Sequence, residues 1–123
     1  MGQSSAAVLV FDEVVGSTTA ITTKPMFNRL LGAYDKYAFH ALCGPISVAG
    51  NLTVTLKHGS DERNWTAKNA GPEIPATALS TTDMKTILGT DTGTVVGQGF
   101  GQLSVQLSAG TARIQIYAVG RNT

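Results

Sequence analysis

The sequence predicts an all-β fold, namely a single antiparallel β-sandwich with the jelly-roll arrangement of about eight strands. Apolar and β-branched segments recur at spacings of about ten residues, and clusters of Gly, Pro, Ser and Asn separate them. Helical spacing of apolar residues is nearly absent, which is typical of sandwiches and barrels. An immunoglobulin-like sandwich is the open alternative, although a chain with one cysteine lacks the cysteine pair usual in that fold. Residues 6–121 are expected to form the sandwich and residues 1–5 an N-terminal arm.

Four strands are predicted in the first half of the chain from β-branched, aromatic and alternating residues. They span residues 6–15, 17–23, 34–43 and 51–58. The last has the clearest pattern, because strict alternation places Leu52, Val54 and Leu56 on one face. Residues 25–31 have a weak helical spacing, and both a short helix and an ordered connection stay open there.

Two further strands are predicted towards the C-terminus. Residues 102–108 place three apolar side chains on one face, and residues 111–119 place four: Leu103, Val105 and Leu107, then Ala112, Ile114, Ile116 and Ala118. Because the connection between the two segments is a short turn, we expect them to form an antiparallel hairpin.

The segment between these two halves is predicted to be edge structure. Pro72 and Pro75 exclude a central strand, since proline has no N–H to donate to a neighbouring strand. Residues 84–88 fit either a short strand or one helical turn. The glycine-rich segments 89–94 and 97–101 are predicted loops, because glycine adopts the backbone angles that turns need.

Composition restricts the classes of function. A content of 42% hydrophobic and 14% charged residues is typical of a folded domain. The net charge of +1 and the scattered Lys and Arg residues argue against nucleic acid as a partner. No apolar stretch approaches the length of a membrane helix, and the first residues lack the pattern of a signal peptide, so we expect synthesis in the cytoplasm and no membrane partner.

A polar cluster follows the strand at 51–58 and is the strongest candidate for chemistry. His58, Asp61 and Glu62 could hold a metal ion with an open position, which would make the chain a small metal-assisted enzyme centred on His58 and Asp61. The same residues are normal for the solvated tip of a hairpin. Because no second histidine or nucleophile stands nearby in the sequence, we expect a hairpin tip and no metal.

Other candidate groups also favour structural roles. His40 and Cys43 are an odd number of residues apart on one predicted strand, so their side chains point to opposite faces and do not form a catalytic pair. We expect a partly buried, hydrogen-bonded histidine and a buried, inert thiol. A glycosidase needs two carboxylates that face each other, and the candidates here are Asp12 with Glu13, Asp61 with Glu62, and Glu73. With eight acidic residues in the chain, such neighbours are expected by chance. No catalytic residue is predicted.

Two further patterns concern ligands. The run 97–101 is similar to a phosphate-binding glycine loop but lacks its spacing and opens no helix, so we expect no nucleotide and no cofactor. Four aromatic residues could form a platform for sugars: Tyr34, Tyr37, Trp65 and Tyr117. Packing in a core or an interface is the favoured interpretation, and a carbohydrate-binding sandwich module stays the alternative function.

The run 52–65, the upstream segment 34–42 and the closing segment 117–121 resemble the small β-sandwich proteins of tailed bacteriophages that decorate or cement the capsid. The resemblance covers residues 34–121 and consists of a strand, a polar tip and a tryptophan. It implies a jelly-roll homo-oligomer, located on the virion, that binds the major capsid protein and ties neighbouring capsid subunits together. It carries no catalytic residues.

In such a protein, contacts with the partner are expected from exposed loops and the terminal arm. The candidate contact residues are Gly2, Gln3, Ser4 and Ser5 in the arm, and Trp65 beyond the polar tip. An arm of small polar residues gains order only against a partner. Trp65 is included because aromatic residues frequently carry the binding energy of an interface.

Overall fold

The computed structural model describes residues 5–17, 21–22, 36–59, 61, 63–67, 71–89 and 100–121. These residues form nine strands and no helix, so the prediction of an all-β fold is confirmed. The strands are β1 (Ser5–Gly16), β2 (Ile21–Thr22), β3 (Lys36–Cys43), β4 (Asn51–Gly59), β5 (Thr66–Ala67), β6 (Ile74–Ala78), β7 (Lys85–Leu88), β8 (Phe100–Leu107) and β9 (Thr111–Arg121).

The strands form two antiparallel sheets. The four-stranded sheet has the order β1-β9-β3-β7, and the five-stranded sheet has the order β2-β8-β4, with β5 and β6 both pairing with the free edge of β4. The first strand therefore pairs with the last, and the second pairs with the one before the last. This double wrapping of the chain is the jelly-roll arrangement, as the sequence predicted.

The core lies between the two sheets and consists of the side chains that alternate inwards. The largest fully buried ones are Phe39, Ile46, Leu52, Leu56, Ile74, Leu103, Leu107, Ile114 and Ile116. Both sheets contribute to this set, so the long strands bury one face against the opposite sheet. The short strands β5 and β7 carry no fully buried side chain. The inward positions predicted for β4, β8 and β9 from alternation are confirmed.

The predicted hairpin between β8 and β9 is wrong. β8 pairs with β2 and β4, whereas β9 pairs with β1 and β3, so the two strands lie in opposite sheets. Their apolar faces meet across the core and do not line one side of the same sheet. Alternation shows only which face of a strand is buried, and it is the same for strands that pair and for strands that face each other.

The connection between β8 and β9 crosses from one sheet to the other. Gly110 in this connection has a φ of 70°, in the left-handed region that favours glycine. The connection is held against the segment that leads into β4, because Ser108 donates its backbone N–H to Asn51 O at 3.0 Å and Thr111 donates its N–H to Ser47 Oγ at 2.9 Å. The segment that the sequence predicted as a hairpin turn is therefore an arch, that is, a connection that joins strands of two different sheets.

The middle of the chain forms edge strands, as expected. β6 starts at Ile74 between the two prolines, and β7 is a strand and not a helical turn. Within the described residues, β6 pairs with β4 alone and β7 with β3 alone. β8 begins at Phe100, so the predicted loop 97–101 is too long by two residues, Gly101 included. The segments 25–31 and 90–99 lie outside the described residues.

Candidate functional site

The two sheets present unlike surfaces to the solvent. In the five-stranded sheet the outward side chains of β4 and β8 pair across the strands as Thr53 with Gln106, Thr55 with Ser104, and Lys57 with Gln102. Each of these six side chains is polar or charged, which is the composition of a sheet surface in contact with water. We call these six residues the polar face.

The outward surface of the four-stranded sheet carries exposed aliphatic side chains at both of its edges, on β1 and at β7. Pairing places one row of outward residues across it in the order Leu9, Tyr117, His40 and Leu88, and a second row in the order Asp12, Gln115, Leu42 and Thr86. These two rows, with Val14, Arg113 and Met84, are called the apolar face. Four of its apolar side chains are largely exposed: Leu9 at 43%, Val14 at 63%, Met84 at 66% and Leu88 at 70%. A sheet surface that stayed in water would not be expected to carry them.

The two charged groups of the apolar face neutralise each other. Arg113 donates Nε–H to Asp12 Oδ1 at 3.0 Å and Nη2–H to Oδ2 at 2.9 Å, and Gln115 donates Nε2–H to Oδ2 at 3.3 Å. The hydrogen bond from Arg113 holds the pKa of the Asp12 carboxyl below its usual value and raises the pKa of the guanidinium. The two-pronged geometry fixes the direction of both side chains across β1 and β9.

A shallow groove lies at one end of the apolar face. It has a volume of about 320 Å³ and is lined by Leu42, Gly44, Pro45, Met84, Arg113 and Gln115. Gly44 donates its N–H to Arg113 O at 2.9 Å, so the groove lies at the level of Arg113 on β9 and opens towards β7. Its walls are mostly apolar carbon, and this composition suits an apolar side chain better than a charged ligand.

The polar cluster beyond β4 is a hairpin tip, as the sequence predicted, because β5 returns antiparallel to β4. The Asp61 carboxylate caps the turn: its Oδ1 accepts the N–H groups of Arg63 at 2.8 Å and Asn64 at 2.7 Å, and its Oδ2 accepts Asn64 Nδ2–H at 3.0 Å. These hydrogen bonds lower the pKa of Asp61, and the bond from the backbone N–H of Asn64 has the largest effect. The oxygens of Asp61 are therefore occupied by the turn. Glu62 lies outside the described residues.

His58 stands apart from the tip. It continues the inward alternation of Val54 and Leu56 and pairs in register with Gly101, so its half-buried ring lies at the end of the core. Its Nδ1 atom is buried without a hydrogen-bond partner among the described residues. The sequence placed His58 in the solvated cluster with Asp61, but the alternation of β4 turns the ring inwards. In the described part of the chain no three His, Cys, Asp or Glu side chains lie close enough to hold a metal ion.

His40 and Cys43 point to opposite sides of β3, as predicted. His40 is half-buried on the apolar face, while Cys43 is fully buried in the core. Burial raises the pKa of the Cys43 thiol to about 11, although the charge of nearby Lys85 acts slightly in the other direction. Little reactive thiolate therefore exists at neutral pH.

Glu73 is the buried polar residue that sequence reasoning missed as a structural group. Its side chain is only 4% exposed, and its Oε1 accepts the backbone N–H of Leu56. This N–H points to the edge of β4 between the registers of β5 and β6, and at that edge no described strand pairs with Leu56. The signal in the sequence was the position of an acidic residue between two prolines, directly before an edge strand.

The remaining predicted residues do not gather at one place. Asp12 binds Arg113, whereas Glu13 is in register with Ile114 and points to the other side of β1. Trp65 is half-buried beside the tip, and its Cε3 lies 3.4 Å from the position that a Cβ on Gly59 would occupy. Trp65 lies in the turn before β5, whereas Tyr117 lies on β9 in the four-stranded sheet, so the two form no common stacking platform. Tyr34 lies outside the described residues.

The predicted arm is described only at its end. Gly2, Gln3 and Ser4 lie outside the described residues. The backbone of Ser5 begins β1 and pairs with Arg121 of β9. Within the described ranges there is also no helix with the length and hydropathy that crossing a membrane requires.

Comparisons with known proteins bear on the fold. No protein-family model and no curated protein matches the chain. Among solved structures, the CBM22-1 xylan-binding domain of Paenibacillus barcinonensis Xyn10C is similar, with a TM-score of 0.57 and 8% identity over 98% of this chain and 85% of that one. The CBM22-1-GH10 modules of the Clostridium thermocellum xylanase Xyn10B give a TM-score of 0.58 with 6% identity, over 95% of this chain and 26% of that one.

A third structure, that of nora virus, covers 98% of this chain and 58% of the viral chain with 10% identity, but its TM-score of 0.33 carries no weight. At these identities the similarity to the xylan-binding domains defines a shared β-sandwich fold. It defines no shared ligand.

Proposed function

We propose that the chain is a non-catalytic structural protein of a bacteriophage particle, which associates with copies of itself and binds the outer surface of the capsid. The proposal rests chiefly on the difference between the two outward sheet surfaces. A sheet surface with four exposed aliphatic side chains is stabilised when a protein partner covers it. The polar face shows that the same chain also builds a surface suited to water.

The positions of the reactive groups support a structural function. The carboxylates of Asp12, Asp61 and Glu73 accept hydrogen bonds that fix a strand pair, a turn and a strand edge. The thiol of Cys43 is buried and its pKa is raised. These three carboxylates therefore hold the fold, and the thiol is part of the core.

The capsid contact is assigned to the β4–β5 hairpin tip with Trp65 and to the terminal segment before β1. The tip combines exposed Arg63 and Asn64 with the half-buried indole of Trp65 on a turn that Asp61 holds rigid. A preorganised tip loses little conformational entropy on binding, and its aromatic residue supplies apolar area. The partner would be the major capsid protein.

The direct test is co-sedimentation of the purified chain with capsids that lack decoration. We expect the wild type to pellet with the capsids at a saturating, fixed stoichiometry and Trp65→Ala to bind more weakly. Gln106→Ala, an exposed change on the polar face, is the matched control and should bind as the wild type does. Absence of saturable binding by the wild type would contradict the proposal.

The fold similarity to xylan-binding domains favours one second candidate, a carbohydrate-binding module. Among the described residues of the apolar face, the aromatic one is Tyr117, two residues along β9 from Gln115 of the groove lining. Affinity electrophoresis in gels containing soluble xylan distinguishes the candidates. Retardation of the wild type that disappears in Tyr117→Ala would support the module, whereas equal mobility with and without xylan would remove it.

A further inference from the structure

We infer that the apolar face is the contact surface between two copies of this chain, which pack face to face around a two-fold axis that runs along the strands between β9 and β3. The inference extends the proposed function by naming the surface through which copies associate. It concerns the isolated chain, so it can hold or fail independently of capsid binding.

One row of outward residues crosses the four strands in the order Leu9, Tyr117, His40, Leu88 and is complementary to itself. A two-fold axis along the strands in the middle of this row reverses it, so that β1 of one copy lies over β7 of the other. Exposed Leu9 then meets exposed Leu88 of the second copy, and the Tyr117 ring meets the His40 ring. The row is thus complementary to itself, with aliphatic contacts at both ends and aromatic contacts in the centre.

The groove at the end of the apolar face lies where the proposed axis would place Val14 of the second copy. Val14 pairs with Arg113, and Arg113 O accepts the N–H of Gly44, so these three residues lie at one level across β1, β9 and the end of β3. The same axis places Val14 of the second copy over the groove that Pro45 and Met84 border. Val14 is 63% exposed, and a branched aliphatic side chain suits an apolar groove of this kind. The most exposed apolar residue of β1 and the groove therefore form a matching pair.

The charged side chains described on the apolar face are compatible with contact between two copies. A surface between two copies must not bury an unpaired charge, because the charge would lose its hydration without gaining a partner. On the described apolar face the charged side chains are Asp12 and Arg113, and they already neutralise each other within one copy. With a net charge of +1 for the whole chain, two copies also repel each other only weakly.

The size of the face predicts the strength of the association. Four strands about 4.8 Å apart and a length of seven residues give a projected area of roughly 450 Å². Side-chain relief increases the accessible area, which places the contact near the small end of specific interfaces, at about 600 Å² per copy. We therefore expect a reversible dimer whose population depends on concentration.

The oligomeric state of the isolated chain in solution tests the inference. Sedimentation equilibrium of the wild type should give a mass that rises with concentration towards twice the 12.8 kDa of one chain. Leu88→Lys and Leu9→Lys should each shift the equilibrium to monomer by at least tenfold. Because both side chains are exposed in a single copy, neither change should lower the melting temperature at concentrations where the wild type is monomeric. Gln106→Lys on the polar face is the matched control and should associate as the wild type does. A mass that neither leucine variant changes would overturn the inference.

Cross-linking tests the arrangement itself. Facing sheets lie about 10 Å apart, so a bis-maleimide of that span should join Leu9→Cys chains to Leu88→Cys chains when the two are mixed. Each variant alone should give little cross-linked product, and buried Cys43 should not react. Efficient cross-linking of Leu9→Cys to itself, or none in the mixture at concentrations where the wild type is dimeric, would contradict the two-fold axis proposed here.

Discussion

Single residues fix the places where this chain departs from regular strand geometry. Gly110 turns the chain from one sheet to the other, and Glu73 closes a gap at the edge of β4. Neither position belongs to an alternating pattern. Both residues nevertheless meet a requirement of the backbone. The positive φ at position 110 favours a residue without a side chain, and the buried N–H of Leu56 needs the acceptor that Glu73 supplies.

At Gly110 we predict that Gly110→Ala lowers the free energy of unfolding by about 1–3 kcal/mol. A Cβ in this left-handed conformation would lie 2.9 Å from Ser47 Oγ and 3.0 Å from Val48 N. Gly71→Ala is the control, because nothing lies within 4 Å of the corresponding Cβ. Urea denaturation measures both variants. Equal stability of the two would show that the arch does not depend on the backbone angle of Gly110.

At Glu73 we predict that Glu73→Ala destabilises the protein by about 1–3 kcal/mol, because the buried N–H of Leu56 loses its acceptor. Glu73→Gln keeps an oxygen in the same place and should lose less. The comparison uses thermal unfolding at neutral pH. If Ala were tolerated as well as Gln, the hydrogen bond to Leu56 would contribute nothing to stability.

Strands and turns form the next scale, at which pairs of elements are held by a few polar contacts. The hairpin tip depends on Asp61, whose oxygens accept three hydrogen bonds from Arg63 and Asn64. We predict that Asp61→Ala increases hydrogen exchange several-fold at the amides of both residues and leaves the core amides unchanged. Asp61→Asn retains one acceptor oxygen and should protect the amides better. Unchanged exchange in Asp61→Ala would mean that the turn is held by other contacts.

The pairing of β1 with β9 is expected to depend on pH through Asp12. Because hydrogen bonding to Arg113 lowers the pKa of Asp12 in the folded chain, its contribution to stability is present above the ordinary value of 3.8 and is lost as the pH falls through the folded value. We predict that Arg113→Ala raises the pKa of Asp12 in an NMR titration. The pKa of Asp61 is the internal control and should stay unchanged. An Asp12 pKa equal in both proteins would exclude the ion pair in solution.

The sequence predicted the faces of individual strands better than the pairing between them. Alternation in β4 and β9 identified the inward residues correctly, because burial on one side leaves a period of two. The pairing of β8 with β4, and not with β9, leaves no such mark, since both arrangements bury the same side chains. The apolar face was missed for a related reason: Leu9, Tyr117 and Leu88 come together only once the order of the four strands is known.

At the scale of the whole molecule, the jelly roll builds two surfaces with different chemistry on one core. The polar face suits water, and the apolar face suits a second copy of the chain. The hairpin tip lies at one end of the five-stranded sheet and does not belong to either face. This separation leaves Trp65 at the tip available to another surface, which the proposed function takes to be the capsid.

The most direct test of the account is a cryo-electron microscopy reconstruction of capsids saturated with the purified chain. The account predicts density for pairs of jelly rolls on the outer surface, joined through their four-stranded sheets, with the β4–β5 hairpin tips touching the shell. Capsids that carry no added density would contradict the assignment of function. Bound copies whose four-stranded sheets face solvent would contradict the role given to the apolar face.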